Sequence, residues 1–287
     1  MIHSMTGFGK ASAEIGGKKI TVEIRSLNSK QLDLNMRLSS YFRDKENEIR
    51  QEISRVAGRG KVDFAIYSEQ VDQLPTATVN RPLARTYYRE LSALAKELKL
   101  TGGDMLGLIL KMPDVFKTEK EELSEKEWKI ARQCISKALA GFARFRADEG
   151  KTLGRDLSER VAGIRRLLDE VEQLDIKRIP AVRERLRRSV EELREKVDEN
   201  RFEQELVYYI EKLDITEEKV RLRTHCDYFI ATMKEESPGR KLGFISQEIG
   251  REINTIGSKA NDAGIQQRVV QMKDELEKIK EQLNNVL

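Results

Sequence analysis

The sequence predicts an α+β protein: an N-terminal α/β sheet domain followed by a mainly helical C-terminal domain with a long helical hairpin. Two observations predict this fold class. Before residue 75, apolar and polar residues alternate along three segments, which is the period of half-buried strands. After residue 75, apolar residues recur at helical spacing almost to the last residue. We therefore expect two domains, at residues 1–75 and 76–287.

Three strands and one helix form the predicted N-terminal domain. The alternating apolar positions of the three strands are Ile20, Val22 and Ile24, then Leu32, Leu34, Met36 and Leu38, then Val62, Phe64 and Ile66. A helical period fills residues 42–57, and a glycine-containing turn at 58–61 leads from this helix into the third strand. These elements predict a sheet that is backed by a helix.

The C-terminal domain is predicted to be helical, without strands. Helical periodicity covers residues 83–100, 105–112, 125–174, 180–197, 202–213, 217–235, 241–256 and 269–287. Ser124 and Glu127 have the spacing of a capping box, and Thr216 has the position of a helix N-cap. The segment 125–174 is either one unusually long helix or two helices that are separated at Gly141, Gly150 or Gly154. Two antiparallel helices here would form a hairpin arm.

Composition excludes several protein classes. Charged residues make up 36% of the 287 residues, and the mean hydropathy is −0.59. The longest dense apolar run, residues 105–112, is much shorter than the roughly 20 residues of a membrane-spanning helix, and the N-terminus lacks the apolar core of a signal peptide. The two cysteines suggest no disulfide framework. We expect a cytoplasmic protein that does not associate with membranes, and its net charge of +4 slightly favours polyanionic partners.

Residues 239–263 contain the most informative pattern of charged residues. In a helix, one stripe of this segment is apolar and must be buried: Leu242, Ile245, Ile249, Ile253 and Ile256. The adjoining flank gathers acids and bases: Glu248, Arg251, Glu252 and Lys259, with Asp262 close by. Carboxylates at positions i and i+4 can hold one divalent cation, and the neighbouring bases can hold a phosphate against it. In a chain this rich in charge, the pattern also fits a solvated helix face with ion pairs.

His225 lies on the helix that precedes this segment. It could serve as a general acid or base or as a metal ligand, although a single histidine is often a hydrogen-bonded structural residue.

A basic cluster lies at residues 177–188 and includes Arg183, Arg185 and Arg187. Such a cluster can contact the phosphates of a nucleic acid without reading its sequence. It can equally well pair with acids on a neighbouring helix or subunit. A second basic group surrounds Arg55, Arg59 and Lys61.

Five segments of the chain carry a resemblance to a known family. They are MIHSMTGFGKA, VEIRSLNSKQLD, GRGKVD, DITEEKVRLRTHCDYF and GRKLGFISQEIGREINTIGSKANDA. Together they resemble the YicC/YloC family of bacterial proteins over essentially the whole chain, with the C-terminal signature within residues 214–287. One departure is Gly250, at a position where the family usually has asparagine.

The resemblance implies a metal-dependent endoribonuclease that favours manganese and assembles as a ring-shaped homohexamer. By position it points to these residues of the C-terminal signature: His225, Arg240, Lys241, Glu248, Arg251, Glu252, Asn254, Lys259 and Asp262. In the N-terminal domain it points to Arg25, Asn28, Arg59 and Lys61, which we expect to line the RNA path.

We therefore expect metal-assisted cleavage of phosphodiester bonds in RNA. In this hypothesis Glu248, Glu252 and Asp262 hold Mn²⁺ or Mg²⁺, because hard cations prefer oxygen ligands. Arg251 and Lys259 offset developing charge, and His225 carries a proton. Two alternatives remain open: a non-catalytic adaptor that presents RNA to another nuclease, and a structural hub whose helical arm pairs with other proteins.

Overall fold

The computed structural model confirms the α+β class and describes residues 2–15, 17–70, 77–99, 103–118, 123–192 and 199–287. The strands are β1 (Gly7–Ile15), β2 (Lys18–Leu27), β3 (Leu32–Leu38), β4 (Gly60–Gln70), β5 (Ala77–Val79) and β6 (Phe116–Thr118). The α-helices are α1 (Glu46–Ala57), α2 (Arg81–Glu97), α3 (Met105–Leu110), α4 (Glu125–Glu192), α5 (Glu199–Leu213), α6 (Thr216–Thr232), α7 (Gly239–Lys259) and α8 (Ala263–Leu283), with a short 3-10 helix at Ser40–Lys45. The predicted boundary at residue 75 lies outside the described residues. No helix in the described ranges is long and apolar enough to cross a membrane.

The N-terminal sheet has four strands in the order β1-β2-β4-β3, and only the β3–β4 pair is parallel. The three predicted strands are present as β2, β3 and β4. The sequence did not predict β1, because glycine and alanine occupy many of its positions and leave no clear apolar alternation. Gly9 shows why small residues are needed there. A Cβ atom at this position would lie 2.1 Å from the carbonyl oxygen of Ala138 on α4, so glycine lets the helix lie directly on the strand.

The prediction that no strand follows residue 75 was wrong. β5 and β6 form a small antiparallel pair in which Ala77 lies opposite Thr118 and Val79 opposite Phe116. Each strand has three residues, which is too short for a period of two to stand out from the neighbouring helical pattern.

α4 is one helix of 68 residues that serves two cores. Gly141, Gly150 and Gly154 all lie inside it, and the predicted helix at 180–197 is its continuation, as far as Glu192. Its first part buries several side chains against the sheet: Trp128, Ala131, Cys134, Ile135, Ala138, Leu139 and Phe142. Its later part packs with α6, α7 and α8 in a second apolar core. The core of the sheet domain therefore includes a helix that the sequence assigned to the C-terminal domain.

The capping box at the start of α4 is confirmed. The Glu127 amide donates to Ser124 Oγ at 3.3 Å, and the Ser124 amide donates to Glu127 Oε2 at 3.0 Å. Hydrogen bonding from Ser124 lowers the pKa of Glu127 to about 2. Thr216 is the first residue of α6 and not its cap, since the N-cap position is Ile215. Both its amide and its hydroxyl donate to Asp214 Oδ1.

Residues near the two ends of the chain join the sheet to the helical core. The Ser4 amide donates to the Arg146 carbonyl at 3.0 Å, and the Met5 amide donates to the Asn285 carbonyl at 2.8 Å. The Leu287 amide donates to the His3 carbonyl at 2.9 Å. These backbone bonds fix the sheet domain against α4 and the segment that follows α8.

Candidate functional site

The predicted apolar stripe of α7 is fully buried and sets the direction of its charged flank. Leu242, Ile249, Ile253 and Ile256 have no exposed surface, and Ile245 is buried as well. This packing turns the flank that carries Glu252 towards α6, which runs alongside α7. Three α6 residues share one face at spacings of i, i+3 and i+7 and meet this flank: Glu218, Arg221 and His225.

Glu252 is the most buried acid of the predicted site, with 8% of its surface exposed. Burial raises the pKa of its carboxyl group, and the nearby charges of Glu218 and Glu248 raise it further, against the opposing influence of Arg221 and His225. Within the described ranges, no hydrogen bond or ion pair reaches this carboxylate. His225 thus lies close to Glu252, as the sequence hypothesis requires of a proton carrier beside a metal ligand.

Glu218 is a buried acid that the sequence analysis missed. Only 6% of its surface is exposed. Its Oε1 accepts a hydrogen bond from Lys259 Nζ at 2.7 Å, whereas its Oε2 is buried without a hydrogen-bond partner. In the sequence Glu218 looks like an ordinary acid in the first turn of a helix. Its one distinguishing signal is that it lies two turns before His225, on the same helical face.

Glu218, Glu252 and Glu248 form an acid group between α6 and α7. Glu248 and Arg251 lie on its solvent side. They form an ion pair of 3.0 Å, and their side chains are 40% and 74% exposed. Lys259, in contrast, forms an ion pair of 2.7 Å with Glu218. The charged flank of α7 therefore divides into a buried part facing α6 and an open part facing solvent.

Asp262 caps a helix and is not part of the acid group. Its side chain accepts a hydrogen bond from the Ile265 amide at 3.0 Å, at the N-terminus of α8. Lys259, three residues before Asp262, already lies roughly 10 Å from Glu252 along the axis of α7. Its assignment as a metal ligand stays a prediction without support from this geometry.

A basic cleft opens where the sheet domain meets α7 and α8. The cleft has a volume of about 690 Å³. Its polar and charged lining comes from both domains: Asn28, Lys30, Arg59, Arg240, Ser246, Gln247, Lys280 and Asn284. No carboxylate is among its described lining residues. Three of the residues predicted to bind RNA, two from the sheet domain and one from α7, therefore lie in one cleft together with two lysines that were not predicted.

Arg146 of α4 holds the sheet side of this cleft in place. Its guanidinium donates to the carbonyl oxygens of Met5, Ala57 and Arg59 at 2.8 to 3.0 Å. Burial lowers its pKa to about 10. Gly60, at φ +120°, supplies the backbone conformation that this turn requires. The turn that carries Arg59 is thus fixed by a buried cation.

The other predicted RNA-contacting residues lie outside the cleft lining. Arg25 is an exposed side chain near Glu23 and Phe8, while Lys61 and Asn254 are exposed. Lys241 forms an ion pair with Glu235 at 2.7 Å.

The predicted basic cluster lies on the arm that α5 and the last part of α4 form. Arg183 donates to both carboxylate oxygens of Glu203 on α5, at 2.7 and 2.8 Å. Arg185 and Arg187 are exposed and have no ion pair with the side chains that the structure describes. Arg183 therefore pairs with an acid on a neighbouring helix of the same chain, which was one of the two predicted alternatives. Arg185 and Arg187 remain available to a partner.

No set of three or more histidine, cysteine, aspartate or glutamate side chains in the described ranges is arranged to hold a metal ion. The two buried acids Glu218 and Glu252, with Glu248 on their solvent side, do not form such a set.

Comparison with known proteins shows similarity along nearly the whole chain. The family model described as Endoribonuclease YicC-like, N-terminal region, matches residues 2–155, and the model described as Endoribonuclease YicC-like, C-terminal, matches residues 171–287. A protein of Clostridioides difficile (strain 630) named "Probable endoribonuclease YicC" is 34% identical over 295 residues, which cover 100% of both chains. A protein of Haemophilus influenzae (strain ATCC 51907 / DSM 11121 / KW20 / Rd) with the same name is 29% identical over 292 residues, again covering 100% of both chains.

Proposed function

The chain belongs to the YicC-like endoribonuclease family, and on this premise we propose that it is an endoribonuclease that cleaves phosphodiester bonds in RNA with a divalent metal ion. One observation carries the proposal: α7 joins a cleft that attracts phosphates to the buried carboxylate of Glu252, which no hydrogen bond or ion pair reaches within the described ranges. Arg240 lies in the cleft, and Glu248 follows two turns later, roughly 12 Å along the same helix. α7 thus connects the basic cleft, which would bind RNA, with the acid group, which would cleave it.

The acid group fits a hard cation such as Mn²⁺ or Mg²⁺. Its donors are carboxylate oxygens, and ions of this type are often held by one or two carboxylates together with water and substrate phosphates. A complete cage of protein ligands is therefore not required. When bound at Glu248 and Glu252, the ion would polarise a phosphoryl oxygen and activate water or the RNA 2′-hydroxyl.

The chain's own residues then bind and orient the RNA. Arg59, Arg240 and the lysines of the cleft contact backbone phosphates, which gives affinity without sequence readout. Arg251 is mostly exposed beside Glu248 and offsets charge that develops on the reacting phosphate. His225, partly buried beside Glu252, carries the proton that the nucleophile or the leaving group exchanges.

The family resemblance further supports a ring-shaped homohexamer that works in the cytoplasm. Light scattering of the purified protein tests the assembly directly, because a hexamer has six times the mass of one chain. A stable monomer at micromolar concentration would contradict this part of the proposal.

A non-catalytic RNA-binding adaptor is the second candidate, because the basic cleft alone accounts for RNA binding. An assay of purified protein on labelled RNA separates the two, run with Mn²⁺, with Mg²⁺ and with a chelator. The endoribonuclease cuts RNA when metal is present and stops when it is chelated. An adaptor binds RNA in a salt-sensitive manner in all three conditions and leaves it intact, whereas a structural hub shows no RNA binding even at low salt.

A further inference from the structure

We propose that Glu218 is a direct metal ligand and that it holds one divalent cation, of the Mn²⁺ or Mg²⁺ class, together with Glu252 between α6 and α7. This inference rests on the proposed function, since it concerns the metal site of the same reaction. It moves the predicted third acid from Asp262 to a residue of the neighbouring helix.

The first argument is the hydrogen bonding of Glu218. Only 8% of the side chain is exposed, and Lys259 satisfies only its Oε1. Its Oε2 has neither water access nor a donor. A buried acceptor without a partner destabilises the folded chain, and more so when it carries charge, so native proteins rarely keep one without a reason. A bound cation supplies the missing partner.

The second argument is that the surrounding cations are already engaged. Arg221 forms an ion pair with Glu217, Arg251 with Glu248, and Lys259 with one oxygen of Glu218. The Glu252 carboxylate and Oε2 of Glu218 remain without a hydrogen bond or ion pair within the described ranges, and they lie on two different helices. The charge of Glu218 acts on Glu252, and a cation bound between two buried carboxylates removes their mutual repulsion.

The placement of the pair also suits the reaction. His225 lies on the same face of α6 as Glu218, and Glu248 and Arg251 lie towards solvent from Glu252 on α7. A cation on the pair would keep its outer coordination positions open to water and to a phosphate that enters from the solvent side. Asp262 is excluded from this arrangement because it caps α8.

The test measures Mn²⁺ binding to the full chain by electron paramagnetic resonance, without RNA. We compare the wild type with Glu218→Gln and Glu252→Gln, and the control is Asp227→Asn. Asp227 is an exposed acid nine residues after Glu218, on the opposite face of α6, so its substitution removes the same charge from the same helix. We expect the two glutamine variants each to lose at least about tenfold in Mn²⁺ affinity, and the control to stay within about twofold.

Circular dichroism shows that each variant is folded before the comparison. If Glu218→Gln does not fold, Glu252→Gln on the facing helix still reports on the pair. Mn²⁺ should also raise the melting temperature of the wild type and of Asp227→Asn, but not of the glutamine variants. Unchanged Mn²⁺ affinity in either folded glutamine variant, or no Mn²⁺ binding by the wild type, would overturn the inference.

The inference and the proposed function fail in different ways. Wild-type protein that cuts RNA but binds no Mn²⁺ at the pair would leave the endoribonuclease in place and remove this site. Protein that binds Mn²⁺ through Glu218 but never cuts RNA would keep the site and contradict the proposed function.

Discussion

Glu252 is a residue at which stability and function oppose each other. Its carboxylate is buried and unpaired, so the charged form is disfavoured in the folded chain. Groups of this kind accumulate at functional sites, where a ligand supplies the missing interaction. The sequence predicted Glu252 as a site residue from its spacing to Glu248, but the spacing contained no information about burial.

The raised pKa of Glu252 predicts a pH-dependent effect of Glu252→Gln on stability. The folded chain holds this proton at pH values at which the unfolded chain, with an ordinary pKa near 4.5, has released it. Wild-type stability therefore falls as the pH rises from about 4.5 through the raised pKa. Without metal, we expect Glu252→Gln to melt roughly 2 °C or more above the wild type at pH 8, and close to it at pH 4.

Differential scanning calorimetry in the presence of a chelator measures this difference. Asp227→Asn serves as the control, because that side chain is exposed and its loss should change the melting temperature little at either pH. A variant Glu252→Gln that is less stable than the wild type at pH 8 would show that the carboxylate has a partner that the geometry does not reveal.

Arg146 should be among the most costly single side chains to remove. Its buried guanidinium donates to the carbonyl oxygens of Met5, Ala57 and Arg59 and so ties the N-terminal segment to the turn at Arg59. We expect Arg146→Met to lower the free energy of unfolding by about 3 kcal/mol, measured by urea denaturation. Arg144→Met is the matched control, since Arg144 lies half a turn away with 86% of its side chain exposed, and should change it by no more than about 0.5 kcal/mol. Equal effects would mean that the turn at Arg59 does not depend on the buried cation.

At the scale of elements, the sequence predicted what its apolar period encodes. The stripe of α7 and the strands β2, β3 and β4 carry large apolar residues at regular spacing, and the structure contains all four elements. The sequence did not predict β1, because the close contact of this strand with α4 requires glycine and alanine, which give no hydrophobic alternation. The sequence of α7 alone could not predict which charged residues of its flank are buried. Packing against α6 buries Glu252, whereas Arg251 stays exposed to solvent.

The arm gives a prediction about RNA binding. Arg185 and Arg187 are exposed, whereas Arg183 is held by Glu203. If the arm contacts RNA, the double variant Arg185→Glu and Arg187→Glu should reduce the slope of log K against log salt by about two units. Arg183→Glu should change it less, because its charge is already neutralised. A fluorescence titration over a range of salt concentrations measures the slopes, and an unchanged slope in the double variant would place the RNA path elsewhere.

At the scale of the molecule, the cleft and the long helix make the two domains interdependent. The sequence could not predict the full lining of the cleft, because Lys30 and Lys280 are distant along the chain and only the fold brings them together. A segment that begins at residue 80 would expose Ile135 and Phe142 of α4, which are buried against the sheet, so the full chain is the proper unit for experiments.

The central claim is that one helix carries two separable functions, RNA binding at its start and RNA cleavage further along. The most direct test measures RNA affinity and the single-turnover cleavage rate in Mn²⁺ on the same preparations of Arg240→Ala and Glu252→Gln. We predict that Glu252→Gln loses on the order of 10²-fold in cleavage rate at unchanged affinity. Arg240→Ala should bind about tenfold more weakly and cleave at a near-normal rate when RNA is saturating. Loss of affinity in Glu252→Gln, or full cleavage by that variant, would contradict the account.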